Sequence, residues 1–221
     1  MLAENLISET VPVLKPSDTG QQALNWMDMF RISHLPVVNG KAYLGLVSDK
    51  FIEDLNLAEV PIETSNLQLP APHIHREQHV FEVASIMYKL NISLLPVVDD
   101  EHNYIGSITL PDLSMRLARL ISILEPGGVI VLQTTRNNYS ASQISQIIEG
   151  NDAKILSLYV NRIDNTDNLE ITIKLDQVDL SSVIQTFTRY DYQISAVYMD
   201  DSILHSLYED RLELFLRYMN I

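Results

Sequence analysis

The chain has 221 residues, 46% hydrophobic and 20% charged, an ordinary globular composition long enough for two compact domains. Its 29 acidic and 15 basic side chains leave a net charge of −14, which repels phosphate backbones and anionic lipid and argues against a nucleic-acid or membrane partner. The absence of cysteine excludes disulfides, thiolate nucleophiles and zinc–thiolate sites, and the lack of a signal-type start or a membrane-length apolar run predicts a cytoplasmic protein.

In chain order, Leu2 to Ile7 reads as a short helix and Val11-Pro12-Val13 as the core of a strand. Ser17 or Asp18 can cap a helix that carries Ala23, Leu24, Met27 and Phe30 on one face. Leu35 to Val38 is a buried strand, Asn39-Gly40 a two-residue hairpin signal, and Tyr43 to Val47 the returning strand. Asp49 to Leu57 continues as helix, and residues 58–70, with Pro61 and Pro70, read as a connector. A strand near Pro72–His75 follows, then a helix with Val83, Ile86, Met87 and Leu90 on one face. Strands Leu94–Val98 and Tyr104–Ile108 come next, then a helix with Pro111 in its first turn, running to about Leu124. After Glu125-Pro126-Gly127-Gly128 the pattern changes. Strand Val129–Leu132, a helix begun by Ser140, a hairpin of Ile155–Ile163 with Leu169–Leu175, a helix Leu180–Tyr190 and a strand Ile194–Met199 are expected, closed by a helix Leu204–Tyr218. This βαββαβ order is that of the ferredoxin-like split arrangement.

The most informative feature is a repeat. Ile32-Ser33-His34-Leu35-Pro36-Val37-Val38 returns 60 positions later as Ile92-Ser93-Leu94-Leu95-Pro96-Val97-Val98, with one difference. Tyr43-Leu44-Gly45-Leu46-Val47-Ser48 then returns as Tyr104-Ile105-Gly106-Ser107-Ile108-Thr109, offset by 61. Such a period marks a duplicated unit that cannot bury its apolar face alone, and two packed units form a cleft between them.

Helix, I-S-x-L-P-V-V, turn and h-G-h-h-[ST] before a helix, found twice, resembles the CBS domain, and the tandem resembles a Bateman module. Residues 127–221 look like an ACT-type domain by element order, and the whole is similar to acetoin-utilisation protein B-type regulators. The resemblance implies an α+β protein with CBS repeats at 1–57 and 58–126 and an ACT-like ferredoxin-type domain at 127–221. It implies no catalysis and no tightly held cofactor. The partners implied are an adenosine-containing effector (AMP, ADP, ATP or S-adenosylmethionine), a second copy of the chain as a homodimer, and an unidentified regulated protein. The alternative is a ligand-free scaffold with both clefts blocked.

Carried over by position, the nucleotide site comprises Thr109 and Asp112, with Thr10, Pro12, Ile32 and Ser33 from the other repeat and Ser93 nearby. A hydroxyl and free N–H groups at a helix start suit phosphate, and a carboxylate one turn in can accept both ribose hydroxyls. Thr109-Leu110-Pro111-Asp112 also has the spacing of a capping box. In the first repeat Phe51 stands where the carboxylate belongs, so one competent site is expected. One of Arg116 and Arg119 can reach phosphate, the alternatives being an i,i+4 pair between Asp112 and Arg116 or a solvated face. His73, His75 and His79 alternate near the second unit's first strand, but structural zinc sites usually need four converging ligands, so no metal is expected. The turn Thr134–Ser140 lacks the glycine usual in ACT effector sites, which leaves that domain the task of pairing subunits.

Overall fold

The computed structural model describes residues 1–8, 10–65 and 68–199, and the helix expected over 204–218 lies outside them. The chain divides into two compact units, Met1–Leu117 and Ala118–Ile221.

The first unit holds α1 (Gly20–Phe30), β1 (His34–Asn39), β2 (Ala42–Ser48) and α2 (Asp49–Asp54). These are followed by β3 (Ile74–His75), α3 (Val80–Leu90), β4 (Leu94–Val98), β5 (Tyr104–Thr109) and the start of α4 (Leu110–Leu120). The sequence repeat is a structural repeat down to backbone detail. α1 and α3 both end in a left-handed residue, Arg31 at φ 53° and Asn91 at φ 50°, one place before the repeated heptad. Both hairpins are antiparallel and shift register at the same place, between Val37 and Val38 and between Val97 and Val98. Gly45 and Gly106 occupy equivalent positions at φ 151° and 156°.

Those glycines let the segment ahead of each repeat cross the other repeat's hairpin. Leu46 N–H donates to the Pro70 carbonyl at 2.8 Å beside Gly45, and Ser8 N–H donates to the Ser107 carbonyl at 2.9 Å beside Gly106. A Cβ on either glycine would meet the crossing chain, Leu69 in one case and Ile7 in the other. Leu14 and Ile74 then pair in parallel with Val37 and Val97. Both repeats pour their apolar faces into one core, in which Leu14, Leu35, Val47 and Ile52 join Ile74, Leu94, Leu95 and Ile108. Neither half could bury these residues alone.

The second unit adds β6 (Val129–Thr135), α5 (Ala141–Glu149), β7 (Ile155–Arg162), β8 (Asn168–Leu175), α6 (Ser181–Arg189) and β9 (Gln193–Tyr198). Its strands pair antiparallel in the order β7-β8-β6-β9. Leu169, Ile171, Ile173 and Leu175 alternate inward along β8, the last three packing in one cluster with Ile144 and Ile148 of α5 and Val183 and Phe187 of α6. Among the described residues no helix is long and apolar enough to cross a membrane.

Several local expectations are corrected. No strand forms over 11–13; the pairing is a single bridge at Leu14, because Pro12 and Pro16 have no N–H to extend a ladder. Thr19, not Ser17 or Asp18, caps α1 by accepting Gln22 N–H, while the Asp18 carboxylate accepts Lys15 N–H at 2.8 Å. Phe30 and Leu90 are exposed at their helix ends rather than inward. The first hairpin turns at Gly40-Lys41, since Asn39 already pairs with Ala42 and only Gly40 takes positive φ. α4 stops at Leu120, with Ser122 at φ 56° breaking the helix before Leu124.

Candidate functional site

The two heptads meet back to back where each hairpin begins. Ser33 N–H donates to Ser93 Oγ at 2.9 Å, and Ser93 N–H donates to His34 Nδ1 at 3.3 Å. An N–H pointing at Nδ1 requires that nitrogen to be bare, so His34 is neutral with its proton on Nε2, and the Ser93 hydroxyl can donate to the same nitrogen at 3.1 Å. Burial holds the His34 imidazole below its ordinary pKa, and Asp49 opposes that more weakly. The helices behind are tied in as well: Asp49 N–H donates to the Ser33 carbonyl at 3.2 Å and Leu110 N–H to the Ser93 carbonyl at 2.9 Å.

A polar cavity of about 430 Å³ opens against this junction, walled by Ser33, Ser48, Asp49 and Lys50 from one repeat and Asn91, Ser93 and Leu110 from the other. Beside it lies a more apolar space of about 270 Å³, lined by His34, Phe51, Pro70, Pro72, Leu90 and Ile92. Phe51 lines that space and leaves it open.

Of the residues named from sequence, Ser33 and Ser93 are brought into direct contact and share the polar cavity. Thr109 is buried at the start of α4. Its hydroxyl accepts Asp112 N–H at 3.2 Å and donates to Asp112 Oδ2 at 2.6 Å, which is a helix cap reinforced by the carboxylate. Asp112 Oδ1 accepts no hydrogen bond among the described residues. Ser48 caps α2 in the same way, accepting Phe51 N–H at 3.1 Å. Ile32 is core, 6% exposed. Thr10 is exposed, its hydroxyl 2.9 Å from that of Ser8, and Pro12 is half-buried. Among the described residues the one ion pair is Arg76 with Glu4 at 3.1 Å, so Arg116 and Arg119 are not paired with Asp112 there.

Sequence reasoning missed His34, Ser48, Lys50 and Asn91 as cavity residues. His34 left a signal as the one mismatch in the repeated heptad, and Ser48 as the repeat-related counterpart of Thr109. In the second unit, taken by itself, a polar cavity of about 480 Å³ opens at the glycine-free turn, lined by Gln133, Thr135, Asn138, Gln143 and Tyr192 among others.

Residues 64–119 match the model of the CBS domain. The preceding copy has the same left-handed caps, bulges and glycines, so the first unit is a pair of like repeats of which the second matches that model. Inosine-5'-monophosphate dehydrogenase of Methanocaldococcus jannaschii is 32% identical over 118 residues, which are 52% of this chain and 23% of that protein. Homoserine O-acetyltransferase of Methanocorpusculum labreanum is 30% identical over 116 residues, 52% of this chain and 24% of that protein. The chain thus spans about a quarter of the length of these curated relatives. Among solved structures, a CBS domain pair/ACT domain protein from Thermotoga maritima is similar with 22% identity and a TM-score of 0.48, covering 54% of this chain and 98% of that one. A CBS domain pair crystallised with 5'-methylthioadenosine and S-adenosyl-L-methionine shows 25% identity and a TM-score of 0.44, covering 54% and 97%.

Proposed function

We propose that the chain is a regulatory, non-catalytic protein whose CBS pair binds an adenosine-containing ligand, AMP, ADP, ATP or S-adenosylmethionine, between its two repeats. The observation that carries this reading is the polar cavity walled by both repeats at once, with the first residue of α4 in its wall. Phosphate oxygens or a ligand carboxylate there would meet the hydroxyls of Ser33 and Ser93, Lys50, and the positive end of α4. Asp112, one turn into α4 and outside the lining of both cavities, retains Oδ1 for ribose hydroxyls of a ligand that reaches past Leu110, with Thr109 holding the carboxylate in place. Thr10, Pro12 and Ile32 flank the nucleoside on this reading, being the repeat-related counterparts of Pro70, Pro72 and Ile92 around the apolar space.

Because the ligand touches both repeats, it favours one of their relative arrangements over others, and that population shift is the signal. The second unit, with its βαββαβ order and antiparallel sheet, serves as an ACT-type domain that pairs two chains in a cytoplasmic homodimer and passes the signal to a regulated protein. Differential scanning fluorimetry of the full chain with the four ligands tests the reading. A ligand held by the folded state raises the melting temperature by mass action, about 2.7 kcal/mol at one hundred times its dissociation constant. A panel without any shift leaves the ligand-free scaffold.

A further inference from the structure

Beside Tyr43 of the first repeat, three histidines of the second gather. His73 and His75 precede and end β3, and His102 stands in the β4–β5 loop at φ 64°. Their ring centres are 5.5, 4.6 and 5.9 Å apart, all edge to face, with the Tyr43 ring 6.4 Å from His73. We propose that these three imidazoles, with water in the fourth position, form a binding site for a single transition-metal dication of the zinc type.

The spacing fits. An imidazole bound at ~2.1 Å puts its ring centre roughly 3.2 Å from the ion, so two rings at a tetrahedral angle have centres about 5 Å apart. The protonation pattern fits as well. His73 Nδ1 lies 2.9 Å from the Ala71 carbonyl, which can only accept, so Nδ1 carries the proton and Nε2 is a bare donor atom for a metal. A carbonyl on the non-ligating nitrogen is the usual support of a metal-bound histidine. His75 Nδ1 is shielded from solvent and has no hydrogen-bond partner among the described residues. Edge-to-face stacking explains the packing of the rings but leaves that nitrogen unpaired, and an unpaired buried polar atom calls for a cause such as an ion.

Among the described residues no three such side chains already form a metal shell, so the rings must turn about their Cβ–Cγ bonds to load one, along a broad and soft torsion. Imidazole suits zinc, nickel and copper, and the net charge of −14 favours cations near the surface. Of the three histidines grouped from sequence, His79 belongs elsewhere. It caps α3 and its ring packs on Phe81 at 4.7 Å.

The test is a titration of the tag-free, metal-stripped full chain with Zn²⁺ alone against a chromophoric chelator, with Co²⁺ absorption reporting the ligand geometry. One saturable Zn²⁺ per chain is expected, weakened at least about tenfold by His73→Gln and by His102→Gln and unchanged by His79→Gln. His102 is exposed, so that variant keeps its fold, which circular dichroism checks. Absence of a saturable site in the unaltered protein would overturn the proposal. So would affinity in folded His102→Gln equal to the unaltered chain's, or a loss in His79→Gln as large as in the other two.

Discussion

Gly45 offers a direct test of how the two repeats are locked together. Replacing it with alanine places a Cβ 2.5 Å from Leu69 Cβ and 3.0 Å from the Pro70 carbonyl oxygen, at a backbone φ of 151°. Leu69 Cβ is fixed to the main chain, so no rotamer change relieves the contact and the crossing segment must move. Its movement breaks the 2.8 Å hydrogen bond from Leu46 N–H to Pro70 O, which contributes about 1 kcal/mol. Forcing a methyl into this packed contact costs a further 1–3 kcal/mol or so. The sum is about 2–4 kcal/mol on top of the cost of the backbone conformation itself. Gly40→Ala in the same hairpin is the control, because φ is 63° there but nothing lies within 4 Å of the added Cβ. Its cost is the left-handed conformation alone, about 1–2 kcal/mol. Urea denaturation of both variants measures the difference as a change in midpoint at constant slope. Gly40→Ala proving as costly as Gly45→Ala would refute the reasoning, since backbone conformation would then account for both losses without the inter-repeat contact.

Asp112→Asn should weaken adenosyl-ligand binding by about 1–3 kcal/mol with the melting temperature nearly unchanged, whereas equal affinity with a lower melting temperature would return Thr109 and Asp112 to a capping role alone. Phe51→Asp places a carboxylate at the repeat-related counterpart of Asp112, so calorimetry should move from about one ligand per chain toward two, and no change in stoichiometry would disprove that symmetry. His34, whose folded pKa is depressed by burial, takes up its proton in the unfolded chain first as pH falls below about 6.5. Its contribution is therefore fully present above that pH and lost as pH drops toward the folded value. His34→Leu, which makes the two heptads identical, should flatten the urea midpoint against pH as pH falls below about 6.5, and an unaltered pH dependence would contradict this.

The fold was legible because it is written twice. Arg31 and Asn91, or Gly45 and Gly106, are ambiguous singly, but their matched spacing fixes where helices stop and hairpins are crossed. In the second unit, strict alternation in Leu169–Leu175 announced β8 and its inward face. What stayed hidden depends on contacts between distant positions. That Leu14 makes one bridge rather than a strand depends on Pro12 and Pro16 beside it and equally on a partner at Val37, which the local sequence does not show. The site divides along the same line. Thr109 and Asp112 sit three residues apart and could be read from spacing, and Ser33 and Ser93 from the repeat. The contact of His34 with Ser93, 59 residues away, required the repeats to be docked. His102 escaped the histidine count for the same reason, since a loop carries it to β3.

The central claim is that one ligand is held by both repeats, and hydrogen–deuterium exchange with and without saturating AMP, ATP or S-adenosylmethionine tests it most directly. The account predicts slower exchange at Ser33–His34 and Asp49–Phe51 in the first repeat together with Ser93 and Leu110–Asp112 in the second, for at least one of the three. Protection confined to a single repeat, or none with any ligand at saturating concentration, would contradict it.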